Sequence, residues 1–83
     1  MRGKIIRHIG KKNFGFAACT DLRERFFHAG DVNPEGKQFH EMEVGDIIEF
    51  DPVQVERDGK MLDRAVNVIW VQRNGQLEQT ASA

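Results

Sequence analysis

Cysteine is almost missing from this sequence. Cys19 stands alone among 83 residues, which excludes an internal disulfide and a cysteine-built zinc site. A small core must then be held by packing alone, and a reducing cytoplasm is the expected setting. Long apolar runs are lacking too. Nothing approaches the ~20 residues that cross a bilayer as a helix, and Met1-Arg2-Gly3-Lys4 has no apolar segment of the secretory kind. Catalytic signatures are equally scarce: there is no nucleophile elbow, no glycine-rich phosphate loop and no metal-binding helix motif. His8, His28 and His40 share no metal-ligand spacing. The expectation is a protein that is not an enzyme and that uses neither metal nor cofactor.

What the chain does contain is ordinary for a globular protein, at 40% hydrophobic and 30% charged residues. Its length allows one small domain, hiding little more than ~60% of its unfolded surface. The net charge of −1 conceals a division. Residues 1–25 hold seven cations against Asp21 and Glu24, a balance of +5, whereas residues 26–83 balance to −6. A polyanion meets a local patch rather than the total. The bland alternative is that these cations are simply solvated surface.

The positive end also carries the aromatic residues. Read as a strand, Lys12-Asn13-Phe14-Gly15-Phe16-Ala17 puts Phe14 and Phe16 on one face, because side chains alternate across a strand. Gly15, Ala17 and Cys19 take the other face, where small residues suit close packing and Cys19 serves as buried filler. In Arg25-Phe26-Phe27-His28, Phe26 and His28 share one face and Phe27 takes the opposite one. Large rings are more often buried than not. Here the second face already supplies a core, so Phe14, Phe16 and Phe26 are free to lie outside it. Rings on an open sheet face, with cations nearby, suit stacking on unpaired bases. Lys11, Lys12, Arg23 and Arg25, taken together, form the expected phosphate-attracting rim.

The remaining segments complete an all-β pattern. Gly3 to Ile9 is a first strand, and adjacent Ile5 and Ile6 call for a bulge or strong bend. The rings occupy the second and third strands, Phe14 to Thr20 and Arg25 to His28. Ala29 to Glu43 reads as a long loop pinned by Val32, Phe39 and Met42. Ile47 to Asp51 is a fourth strand, an edge or bulged at Pro52. Asp58-Gly59 is a hairpin turn, and Met61 to Val71 returns as the fifth strand, with Trp70 at a barrel end or edge. Five short strands fit a five-stranded Greek-key OB-like barrel, which leaves no open sheet edge. The domain is expected at residues 1–71, followed by a polar, frayed tail at 72–83.

These residues resemble a cold-shock domain. That family opens with a Gly-Lys-apolar strand, matched by Gly3-Lys4-Ile5. Its first ribonucleoprotein motif is similar to Lys12-Asn13-Phe14-Gly15-Phe16-Ala17, and its second to Arg25-Phe26-Phe27-His28-Ala29. Gly45-Asp46-Ile47-Ile48-Glu49-Phe50 and Ala65-Val66-Asn67-Val68 follow in the family's order. The resemblance covers Gly3 to Val68. It implies binding of single-stranded RNA or DNA, with Phe14, Phe16, Phe26 and His28 as the stacking face and Lys4 and Lys12 beside the backbone. Arg7-His8 stands where the family has Trp-Phe, Asn13 replaces a glycine and Ala29 replaces an aromatic residue. The expected face is therefore smaller, with the guanidinium of Arg7 able to stack or to contact phosphate. The rival expectations are a protein-interaction module, which includes a homodimer, and a structural domain whose binding has decayed.

Overall fold

The computed structural model describes residues 1–73. Five strands occupy most of that span: β1 Arg2–Ile9, β2 Phe14–Cys19, β3 Glu24–His28, β4 Ile47–Arg57 and β5 Lys60–Gln72. They join in the order β1-β2-β3-β5-β4, and β4 returns to β1, so the sheet closes in a ring. The strand pairings are antiparallel except β3 with β5, which meet in parallel at Phe26 and Arg64, and an isolated parallel bridge joins Val32 to Val68. The all-β expectation therefore holds. Among the described residues no helix is long and apolar enough to cross a membrane.

Local sequence explains the shape of β1. Ile5 pairs with Ala17, but the next pairing is Arg7 with Phe16, so Ile6 is an extra residue bulged out of the ladder. Ile5 is fully buried while Ile6 is 37% exposed. The bulge expected from two adjacent isoleucines is thus present, and it resets which residues of β1 face outward. Asn13 ends a short 3-10 turn in the left-handed region at φ 59°. That conformation favours glycine but tolerates asparagine.

Gly15 is flanked closely by both neighbouring strands, β1 and β3. A Cβ built on it would sit 2.6 Å from the Arg7 carbonyl oxygen and 3.1 Å from Cζ of Phe27. Backbone cannot yield as a side-chain tip can, so this position requires a residue with no side chain. Asp58 and Gly59 both have positive φ, at 53° and 76°, as the tight β4–β5 turn demands. Strand β4 pairs with β1 only over Ile47 to Glu49. Its continuation past a register shift to Pro52 and beyond is paired with β5 alone, so the missing N–H of Pro52 falls at an edge.

The core fills the inside of the ring. Ile5, Ala17, Cys19, Phe27, Ile48, Phe50, Ala65 and Val68 are buried there, and Phe39 and Met42 from the long loop join the same cluster. Val32 packs against the same cluster, so all three residues expected to pin this loop do so. Burial pushes the Cys19 thiol pKa up. Trp70 is partly buried against the core, and its Nε1–H donates to Asp46 at 3.0 Å, with the Lys37 ammonium 4.8 Å from the ring centre. Strand β5 runs past Val71, pairing Gln72 with Ile47. Arg73 then forms ion pairs with Glu43 and Asp46. Residues 74–83 of the expected tail lie outside the described residues.

Candidate functional site

Alternation along β2 and β3 distributes the rings as their spacing requires. Gly15, Ala17 and Cys19 are buried, while Phe14, Phe16 and Ala18 are half-buried on the outer side. On β3, Phe27 is completely buried, whereas Phe26 is half-buried and His28 exposed. Antiparallel register sets Phe16 beside Phe26 and Phe14 beside His28. The ring centres of Phe14, Phe16 and Phe26 lie 5.6 to 6.0 Å apart, and each ring touches the other two. Phe14 and Phe26 are tilted by 32°, while Phe16 stands nearly edge-on to both. The result is a compact aromatic triangle on the outer surface of the ring. Leaving such area in contact with water forgoes roughly 25 cal/mol per Å² of burial, which suits a surface meant to meet a partner.

Cations flank the triangle. Arg7 pairs with Phe16 across β1 and β2 and holds its guanidinium 6.0 Å from that ring centre. Lys4 pairs with Ala18 on the same outer face, and exposed Lys11 and Lys12 sit in the turn leading to Phe14. Among the described residues, none of Lys4, Arg7, Lys11 and Lys12 forms an ion pair. His28 is fixed by its surroundings. Its Nδ1 accepts the Gly30 N–H at 3.0 Å, and its own backbone N–H donates to Asp31 at 2.9 Å. The neutral ring therefore carries its proton on Nε2, as a donor.

Arg25 departs from the expected rim. Alternation places it on the same side as Phe27, and it is only 5% exposed, its guanidinium 6.0 Å from the ring of Phe50. It donates to both carboxylate oxygens of Asp21, at 2.9 and 2.8 Å. Arg25 is a structural cation closing the β2–β3 connection, and the cations left for the rim are Lys4, Arg7, Lys11 and Lys12, with the exposed Arg23 lying 3.9 Å from Asp63. The Arg25 guanidinium holds the Asp21 carboxyl down to about 2 from its ordinary 3.8. A carboxylate depressed in the folded state adds stability that is present above its unfolded pKa and is lost as the pH falls through the folded value. Denaturation midpoints of the wild type are accordingly expected to fall between about pH 4 and pH 2. Asp21→Asn should be less stable at pH 7 and should lose less across that window; an unchanged acid profile would remove Asp21 from this role.

His8 also leaves the outer face. Its ring stacks on Phe39 with centres 4.3 Å apart, and its Nε2–H donates to the Phe39 carbonyl at 2.8 Å. It packs the long loop onto β1 rather than extending the aromatic surface. Ala29 likewise faces the core cluster.

One contributor was not apparent from the sequence. Arg64 meets Phe26 at the parallel β3–β5 contact, with its guanidinium 5.8 Å from the ring centre. The outer row across four strands thus reads Arg7, Phe16, Phe26, Arg64. The two arginines differ, because Arg64 donates twice to Asp31, both at 3.0 Å, and its charge is neutralised locally. The two-residue strand period, which sets Arg64 opposite its apolar neighbour Ala65, could have signalled that Arg64 points outward. Only the β3–β5 contact decides what it points beside.

A groove of about 650 Å³ opens next to Phe16 and Phe26 and is walled on its far side by the β4–β5 hairpin. Among the described residues no group of three or more His, Cys, Asp or Glu side chains could hold a metal ion. No protein-family model matches the chain, and a search of curated proteins finds no match.

Proposed function

We propose that this protein binds single-stranded RNA or DNA without catalysis, holding unpaired bases on Phe14, Phe16, Phe26 and His28. The observation that carries the reading is the division of labour between neighbours: Phe27 fills the core, and the three other rings gather outside it beside cations that have no carboxylate partner among the described residues. Stacking tolerates any base, so the platform itself has little sequence preference, and phosphates are met by Lys4, Arg7, Lys11 and Lys12. The strand order supports a five-stranded Greek-key OB-like barrel. The resemblance of Gly3 to Val68 to a cold-shock domain supports the same function. By binding unpaired strands such a protein melts weak RNA structure by mass action, the action of an RNA chaperone or regulator of gene expression in the cytoplasm.

A second reading, a protein-interaction or dimerisation module, is favoured by Met61 and Leu62, which are 59% and 44% exposed on the hairpin. Titrating short single-stranded oligonucleotides at several salt concentrations separates the two. Four phosphate contacts predict a log–log salt slope of about −3, and Lys12→Gln should make it shallower by about 0.7. Absence of binding at low salt, with dimers in sedimentation, would favour the second reading.

A further inference from the structure

We infer that the groove beside Phe26 is a guanine-preferring base subsite, with Glu24 reading the edge of the base. The inference rests on the single-strand reading and adds a local preference to an otherwise tolerant platform. Phe16 and Phe26 form one wall of the groove, and Val55, Met61 and Leu62 of the hairpin contribute the other. A flat base lying between them has an aromatic ring on one side. On the other it meets a thioether and methyl groups, which also favour contact with a π-system.

Charge decides which part of a nucleotide enters. The charged side chains lining this groove are three carboxylates, Glu24, Glu56 and Asp63, against two arginines, Arg57 and Arg64. Its arginine nearest the rings, Arg64, is held by Asp31. Phosphate is therefore directed to the opposite, cationic edge of the platform, near Arg7 and Lys4, and the base faces the groove. Asp63 already accepts from Gln54 at 3.3 Å and lies 3.9 Å from Arg23. Glu24 has no such partner among the described residues, and it lines the groove from the same strand and face as Phe26, two residues away. Two residues of strand span roughly 7 Å, about the reach from a stacked ring to the edge of a base.

An ionised carboxylate only accepts hydrogen bonds. Guanine alone offers two adjacent donors on its pairing edge, N1–H and the N2 amino group, which match the two carboxylate oxygens. Cytosine and adenine set one amino donor beside an acceptor nitrogen, and in uracil one N–H lies between two carbonyls. Each of these places an acceptor against a carboxylate oxygen.

The test is fluorescence anisotropy at fixed salt with single-stranded octamers: all uracil, or with one central guanine, inosine, cytosine or adenine. A single guanine is expected to tighten binding about tenfold over the all-uracil strand, the scale of one bidentate base contact. Inosine, which lacks the N2 amino group, should lose most of that gain, and Glu24→Gln should bring the guanine-to-uracil ratio close to one. The methyl resonance of Met61 should shift on adding the guanine octamer. Equal affinities for all octamers, or a guanine advantage that survives Glu24→Gln, would overturn the subsite and leave the stacking platform standing. If no octamer binds, both readings fall. A Met61 methyl shift that follows protein dilution instead of octamer assigns the groove to a second copy of the chain.

Discussion

Replacing Phe27 with alanine is expected to remove about 3–5 kcal/mol of stability, the range for deleting a buried aromatic ring. The ring is fully buried, lies against the backbone at Gly15 and packs edge-on to Phe39 with centres 5.8 Å apart. Two layers depend on it: the β2–β3 pair outside and the long loop that Phe39 anchors. A small domain has only about 5–15 kcal/mol in total. Much of the Phe27→Ala population should therefore be unfolded at modest denaturant, as read by urea titration of Trp70 fluorescence and far-ultraviolet circular dichroism. A variant as stable as the wild type would mean that the core lies elsewhere.

The adjacent ring should behave in the opposite way. Phe26→Ala is expected to weaken single-strand binding by about 1–3 kcal/mol, roughly 5- to 150-fold, while stability changes by less than about 1 kcal/mol, the scale of a cross-strand pair. Phe26 is half-buried, and what it touches is Phe14, Phe16 and the guanidinium of Arg64, all on the outer surface. Its loss removes a stacking surface and one wall of the groove without opening a cavity in the core. Phe16→Ala should act similarly. Binding measured by anisotropy, with the fold verified by circular dichroism, separates the two effects. Two neighbouring phenylalanines with reversed phenotypes would be hard to reconcile with a protein whose aromatic residues are all core. If Phe26→Ala unfolds the domain, the outer triangle is structural.

Much of the candidate site is legible residue by residue. The opposed roles of Phe26 and Phe27 need only the two-residue period of a strand. The same period places Gly15, Ala17 and Cys19 inside. It also consigns Arg25 to the interior, against the expectation that its charge would join the rim. The favourable contact with Asp21, four residues earlier, makes that burial tolerable. The turn at Asp58-Gly59 and the bulge at Ile6 follow from backbone preferences of a few residues each.

His8 and Arg64 show where such reading stops. Whether His8 joins Phe16 outside or Phe39 inside depends on the Ile6 bulge and on a loop more than thirty residues away. Arg64 stands beside Phe26 only because β5 closes the ring against β3 in parallel, a contact spanning 38 positions of sequence. The groove requires the β4–β5 hairpin to stand over that junction. Which side of its own strand each ring occupies follows from the order of residues alone, since that depends on covalent geometry and local backbone preference. Which residues of other strands lie beside those rings was decided by the closure of the sheet, because distant segments become neighbours only through tertiary pairing.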